Sequence, residues 1–191
     1  MNAPSTPHAT DIALTLAQQR EALWSDERVT VYAVVMGSRI PQLPARLHAA
    51  GIDDWDRLWT GELDDTELAD APVLLVLPRD AEFTGWLLGQ ASREFGPWGL
   101  VLLNSRPFLA TRAHARRLCQ AVLPDGDQIR LDWMDPELMQ TLLPLAPLEQ
   151  LQRIFSDVQA MVLIDGTRWT RCSLVMGRLE QRSTLLLASA T

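Results

Sequence analysis

The residues able to do chemistry in this chain are few and widely spaced. Histidines stand at His8, His48 and His114, and none has a second histidine at metal-ligand spacing, so no zinc or iron motif forms. Ser38 follows Gly37 after a strand-like run, as a hydrolase nucleophile would, but the flanking G-x-S-x-G pattern is absent and a turn or cap role suits it better. Pairing Ser38 with His48 or His114 is the one enzymatic arrangement the sequence offers. Gly96-Pro97-Trp98-Gly99 precedes a strand rather than a helix, which is wrong for a phosphate loop. Asp53, Asp54 and Asp56 lack the D-x-D-x-D-G frame with a distal glutamate, so a solvated acidic loop is the better reading than a cation site. Cys119 and Cys172 have no CxxC spacing and read as buried reduced thiols. The expected inventory is therefore no catalytic residue, no metal and no cofactor.

Residues suited to contact are better represented. All seventeen basic residues are arginine, which pairs and stacks at interfaces better than lysine, and the absence of lysine excludes a Schiff-base or P-loop lysine and a receiver-like site. Formal charge is −7, which argues against nucleic acid as a partner. Trp55 and Trp59 are threaded through the acidic stretch from Asp53 to Asp70, and aromatics flanked by charge resemble interface anchors; for Trp59 a core role competes. Arg106, Arg112, Arg116 and Arg117 mark an arginine-bearing helix, read either as its wet face or as a meeting point for an acidic partner. Trp86, Trp98 and Trp133 fall at inward-facing positions.

The elements that must position these residues centre on Asp70 to Leu109, which reads strand, helix, strand, helix. Val73 to Leu77 is an apolar run fenced by Pro72 and Pro78, as a strand covered on both faces would be. Asp80 is expected to cap a helix striped by Phe83, Trp86, Leu87, Ala91 and Phe95, and Gly96-Pro97 stops it. Trp98 to Asn104 is a second buried strand, so a right-handed parallel crossover is expected, followed by a helix from Pro107 to about Val122. Upstream, Thr10 or Asp11 caps a first helix to about Trp24, Val29 to Met36 is a strand, and Leu43 and Leu47 face inward on a helix closed by Gly51. Downstream, Ile129 to Met134 alternates like a half-exposed edge strand, Asp135-Pro136 and Pro147 start helices, and Met161 to Val175 is a hairpin about Asp165-Gly166, with the tail from Ser183 a further strand or loose. The fold class expected is α/β, a mixed, largely parallel central sheet flanked by helices with a C-terminal hairpin. Its parts would be a flexible tail (1–10), a main domain (11–160) and a hairpin extension packed on it (161–191). At 191 residues and 47% hydrophobic the chain can bury a core without disulfide or metal, and its apolar runs are too short for membrane insertion. With no basic or apolar start to act as a signal, a cytoplasmic location is expected.

Several segments, in order, resemble the adaptor and effector-chaperone family of bacterial type VI secretion, whose members are encoded between a VgrG spike protein and a toxic effector. They are Val31 to Pro41, Leu58 to Gly61, Glu67 to Leu74, Trp86 to Leu88, Trp98 to Leu100, and Trp133 to Leu138. The resemblance implies a non-enzymatic cytoplasmic adaptor that binds a secreted toxic effector and helps load it onto the VgrG spike. Two positions depart from the family pattern: Met36, where an acidic residue is usual, and Glu137, where a basic one is usual. Trp55, Trp59, Arg112, Arg116 and Glu137 are the candidate partner-binding residues, and the Ile129–Met134 strand or the C-terminal hairpin could accept a partner strand.

Overall fold

The computed structural model describes residues 12–123 and 125–186. The expected tail, with His8, and the expected caps Thr10 and Asp11 lie outside these, as does the end of the C-terminal extension. The chain runs β1 (Ile12–Leu14), α1 (Leu16–Leu23), β2 (Thr30–Val35), α2 (Leu43–Ala49), β3 (Trp55–Arg57), α3 (Asp65–Asp70), β4 (Val73–Val76) and α4 (Glu82–Trp86). A π-helical turn (Leu87–Ala91) leads directly into α5 (Ser92–Phe95), then β5 (Gly99–Asn104), α6 (Phe108–Leu118), β6 (Gln120–Val122) and β7 (Gln128–Arg130). The last elements are α7 (Pro136–Leu142), a 3₁₀ turn (Leu143–Leu145), α8 (Leu148–Ile154), β8 (Ala160–Asp165), β9 (Arg168–Val175) and β10 (Arg178–Leu186).

The main sheet has eight strands in the order β1-β10-β9-β8-β5-β2-β4-β3. The seven strands from β10 to β3 are antiparallel throughout, and only the short β1 joins in parallel, Ile12 opposite Thr184. This overturns the expectation of a largely parallel sheet. The crossover from β4 through α4 to β5 does leave those two strands pointing the same way, but β2 lies between them and pairs antiparallel with both. Local sequence signals the direction of a crossover and not which earlier strand occupies the gap it spans.

Other expectations also shift. Ile12–Leu14 is a strand, and α1 starts later under a Thr15 capping box. Ala81, not Asp80, precedes α4, and it makes no side-chain cap. The expected helix to Val122 ends at Leu118, because Gln120–Val122 pairs with Gln128–Arg130 as a separate hairpin. The anticipated edge strand Ile129–Met134 is therefore only three residues long and off the main sheet, with Trp133 and Met134 buried beyond it. The Asp165-Gly166 hairpin forms, and a second follows it, turning through Met176 and Gly177 at φ 48° and 75°.

β5 is the buried axis of the sheet, all six residues being covered. Gly99 opens it at φ 150°, where a Cβ would lie 2.0 Å from the Val34 carbonyl oxygen, so only glycine allows β2 and β5 to meet there. One sheet face packs Leu43, Leu47, Leu87, Leu88 and Trp169, beneath α1, α2 and the α4–α5 helix. The other packs Ala115, Cys119, Met139, Leu143 and Leu151 from α6 to α8. Asn104 fixes where α6 begins: its amide donates to Thr111 Oγ1 at 3.1 Å and its oxygen accepts the Arg106 N–H at 2.9 Å.

Candidate docking surface

Trp55, Asp56 and Arg57 form edge strand β3, paired with Leu75, Leu74 and Val73. Strand alternation sends Trp55 and Arg57 to one face and Asp56 to the other. Trp55 packs against the first core under the Arg57 guanidinium, 5.7 Å from its ring centroid. Asp56 faces α6, where Arg112 and Arg116, one turn apart, both reach its Oδ2; the Arg116 contact is 3.1 Å. Arg116 also donates Nη2 to the Arg57 carbonyl at 2.7 Å, and Nε at 3.2 Å. With 29% of each arginine side chain and 35% of Asp56 exposed, the three form an ordered, half-buried cluster rather than a freely solvated helix face. The structure thus brings Arg112 and Arg116 to the acidic tryptophan segment.

Trp59 lies on the opposite face from Trp55, packed against the second core, with the Arg130 guanidinium 4.8 Å from its ring centroid. Arg130 is held by Glu67 at 2.7 Å, and Glu67 closes a capping box with Asp64 at the start of α3. The acidic stretch is thereby a folded strand and helix, not a loose loop. Trp59 Nε1 is buried without a hydrogen-bond partner among the described residues, beside a cavity of about 50 Å³ also lined by Arg116, Cys119 and Arg130.

Glu137 stands apart, exposed in the first turn of α7, whose cap is Asp135: its Oδ1 accepts the Glu137 and Leu138 N–H groups at 2.9 and 3.2 Å. The inner side of α7 borders an apolar pocket of about 200 Å³, with Trp133, Met139, Leu142, Leu145 and Ile154 in its wall. Leu142 and Leu145 in that wall are 38% and 78% exposed, while Leu148, 47% exposed, lies beside Gly177. Two exposed leucines in the wall of an open apolar pocket are a better protein-contact feature than the tryptophans, and the sequence reading missed them. The available signal was Leu142-Leu143-Pro144-Leu145-Ala146-Pro147-Leu148, more apolar surface than two short helices can turn inward. The pocket floor is rigid: Trp133 donates its indole N–H to Cys119 Sγ at 3.3 Å, and burial pushes the Cys119 thiol up to about 11.

His114 is buried on α6, its Nε2 2.9 Å from the Ile154 carbonyl oxygen and Arg117 3.4 Å from its Nδ1; burial lowers its pKa and holds it neutral. His48 is exposed on α2, which covers the other face of the sheet. Ser38 is exposed in the turn after β2. No hydrogen bond joins Ser38 to either histidine among the described residues, and the sheet separates the helices that carry those two histidines. Among the described residues no group of three or more His, Cys, Asp or Glu side chains is placed to hold a metal ion, and no helix is long and apolar enough to cross a membrane.

Residues 31–153 match the model of a family described as Domain of unknown function (DUF4123), a family associated with the effector chaperones and adaptors of type VI secretion. No curated protein and no solved structure matches the chain.

Proposed function

Since the chain belongs to the DUF4123 family, we propose that it is a cytoplasmic, non-enzymatic adaptor that binds a secreted toxic effector and helps load it onto the VgrG spike. The observation that carries this reading is the pair of exposed leucines, Leu142 and Leu145, in the wall of an open apolar pocket inside the span that the family model matches. Exposed apolar surface on a well-packed scaffold costs solubility unless something covers it. The pocket has the size of a socket for one or two apolar side chains, with Gln150 as the polar residue of its wall. The ordered Asp56–Arg112–Arg116 cluster supports the reading in a second way, because it fixes the outer surface of α6 without a ligand and so keeps the ordering cost of binding low.

The hydrolase alternative, Ser38 with a histidine, draws no support from the placement of those residues on separate elements. The test is genetic and biochemical together. Deleting the gene should abolish release of the effector encoded beside it while the effector is still made, and the tagged chain should co-purify with that effector. Normal release without the gene, or failure to co-purify, overturns the proposal.

A further inference from the structure

The two edges of the sheet are treated differently. At β3 the outward Arg57 carbonyl is taken by Arg116, so that edge is closed by the protein itself. At the other end, β1 pairs only with Thr184, Leu185 and Leu186 of the nine-residue β10. The Leu186 N–H donates back toward the β9 side, to the Thr167 carbonyl at 2.8 Å. Antiparallel alternation then turns the even-numbered backbone groups of β10 toward β9 and those of Leu179, Gln181 and Ser183 outward. No strand pairs with these outward groups among the described residues. The stretch has no proline or bulge, and its charged residues, Arg178, Glu180 and Arg182, are the one feature that blunts the edge against an unmatched strand.

Beneath this edge lies a cavity of about 490 Å³ between α1 and the sheet, lined by Leu23, Val162, Trp169, Arg171, Arg182 and Thr184 among others. Trp169 is buried, and its Nε1 has no acceptor among the described residues. Arg171 and Arg182 stand directly opposite each other across the hairpin. Like charges in that register repel. Arg171 has no hydrogen-bond or ion-pair partner among the described residues, and Arg182 has only a 3.8 Å contact with Glu180. From Arg168 to Leu186 the chain carries four arginines against one glutamate, a basic arm on a protein of net charge −7.

We propose that the outer edge of β10, from Arg178 to Ser183, takes an extended acidic segment of the partner protein as an added strand, with a partner carboxylate lying between Arg171 and Arg182. The proposal rests on the adaptor reading and names the contact it would use. Backbone pairing supplies affinity, the two arginines select for acid, and the cavity receives the side chain on the same face of the added strand. The sequence leaves the C-terminal hairpin and the Ile129–Met134 stretch open as strand acceptors; the fold favours the hairpin, since the other is off the main sheet.

The probe is the effector encoded beside this gene, titrated against the full chain and two variants. Arg182→Glu faces Arg171 with an opposite charge, so it should fold at least as stably as the parent while binding the effector about tenfold or more weakly. Gln181→Pro removes an outward N–H while keeping the backbone ladder to β9, at the loss of the Gln181 Nε2 donation to Cys172 Sγ, and should weaken binding similarly. Hydrogen exchange gives the direct reading: the Leu179, Gln181 and Ser183 amides should exchange quickly in the isolated chain and slow by about tenfold or more in the complex. Slow exchange in the isolated chain would mean that a second copy or another part of this chain already covers the edge, and overturns the proposal. Parent-like binding by both folded variants also overturns it and leaves the adaptor reading standing. If the parent chain binds no effector at all, both fall.

Discussion

Arg116 donates to the Arg57 carbonyl oxygen at 2.7 Å, and this contact joins the last turn of α6 to the edge strand that carries Trp55. The same guanidinium reaches Asp56, so a helix from one part of the chain closes the sheet edge formed by another. The surface around Trp55, Trp59 and α6 is in consequence a set shape before any partner arrives.

Removing the shared carboxylate should loosen that shape. Asp56→Ala leaves two half-buried arginines without their anion and should cost about 1–2 kcal/mol in urea unfolding. A loss below about 0.3 kcal/mol would place the cluster with ordinary surface ion pairs.

The leucine patch should separate binding from stability. Leu145 is 78% exposed, so Leu145→Asp should change unfolding free energy by less than about 0.5 kcal/mol while weakening effector binding tenfold or more. Undiminished binding by this variant would remove the patch from the contact.

Both thiols should be inert in the folded chain. Burial pushes Cys119 and Cys172 from 9.0 up to about 11. Iodoacetamide at about pH 8 should label neither until denaturant is added. Because the folded state favours the protonated thiols, this stabilisation is complete below pH 9.0 and is lost as pH rises toward about 11, so melting temperature should fall across that window. Rapid labelling of the folded chain would show the thiols to be accessible.

His114 gives the acid-side counterpart. Its folded pKa lies below the ordinary 6.5, chiefly through burial, so the unfolded chain binds its proton first. The stabilisation is present above pH 6.5 and declines as pH falls below it. His114→Gln should flatten the pH dependence of melting temperature in that range; an unchanged slope would assign the acid sensitivity to other groups.

Much of the local structure could be read from residues. Pro72 and Pro78 fence a strand, Gly96-Pro97 ends a helix, Asp135-Pro136 caps one, and Asp165-Gly166 turns a hairpin, because each signal acts within a few residues. Sheet order could not be read in this way. That β2 separates β4 from β5 depends on side-chain burial across more than sixty positions of sequence, as Val34 meets Leu74 on one side and Leu100 on the other. Ile12–Leu14 is a strand because Thr184–Leu186 lies beside it, a partner about 170 residues away that no local pattern announces. The candidate contact residues were legible as types, arginine and tryptophan near acid. Their pairing with one another was not, since Asp56 and Arg116 are neighbours only once β3 and α6 are folded. Leu142, Leu145 and Leu148 sit in one apolar run of sequence, and the shortness of α7 and α8 leaves them exposed.

The most direct measurement is a calorimetric titration of the purified chain with the effector encoded beside it. The account predicts a saturable one-to-one complex with Kd at or below about 1 μM and no chemical change in either protein. Absence of binding at tens of micromolar, or covalent modification of the effector by the chain, would contradict it.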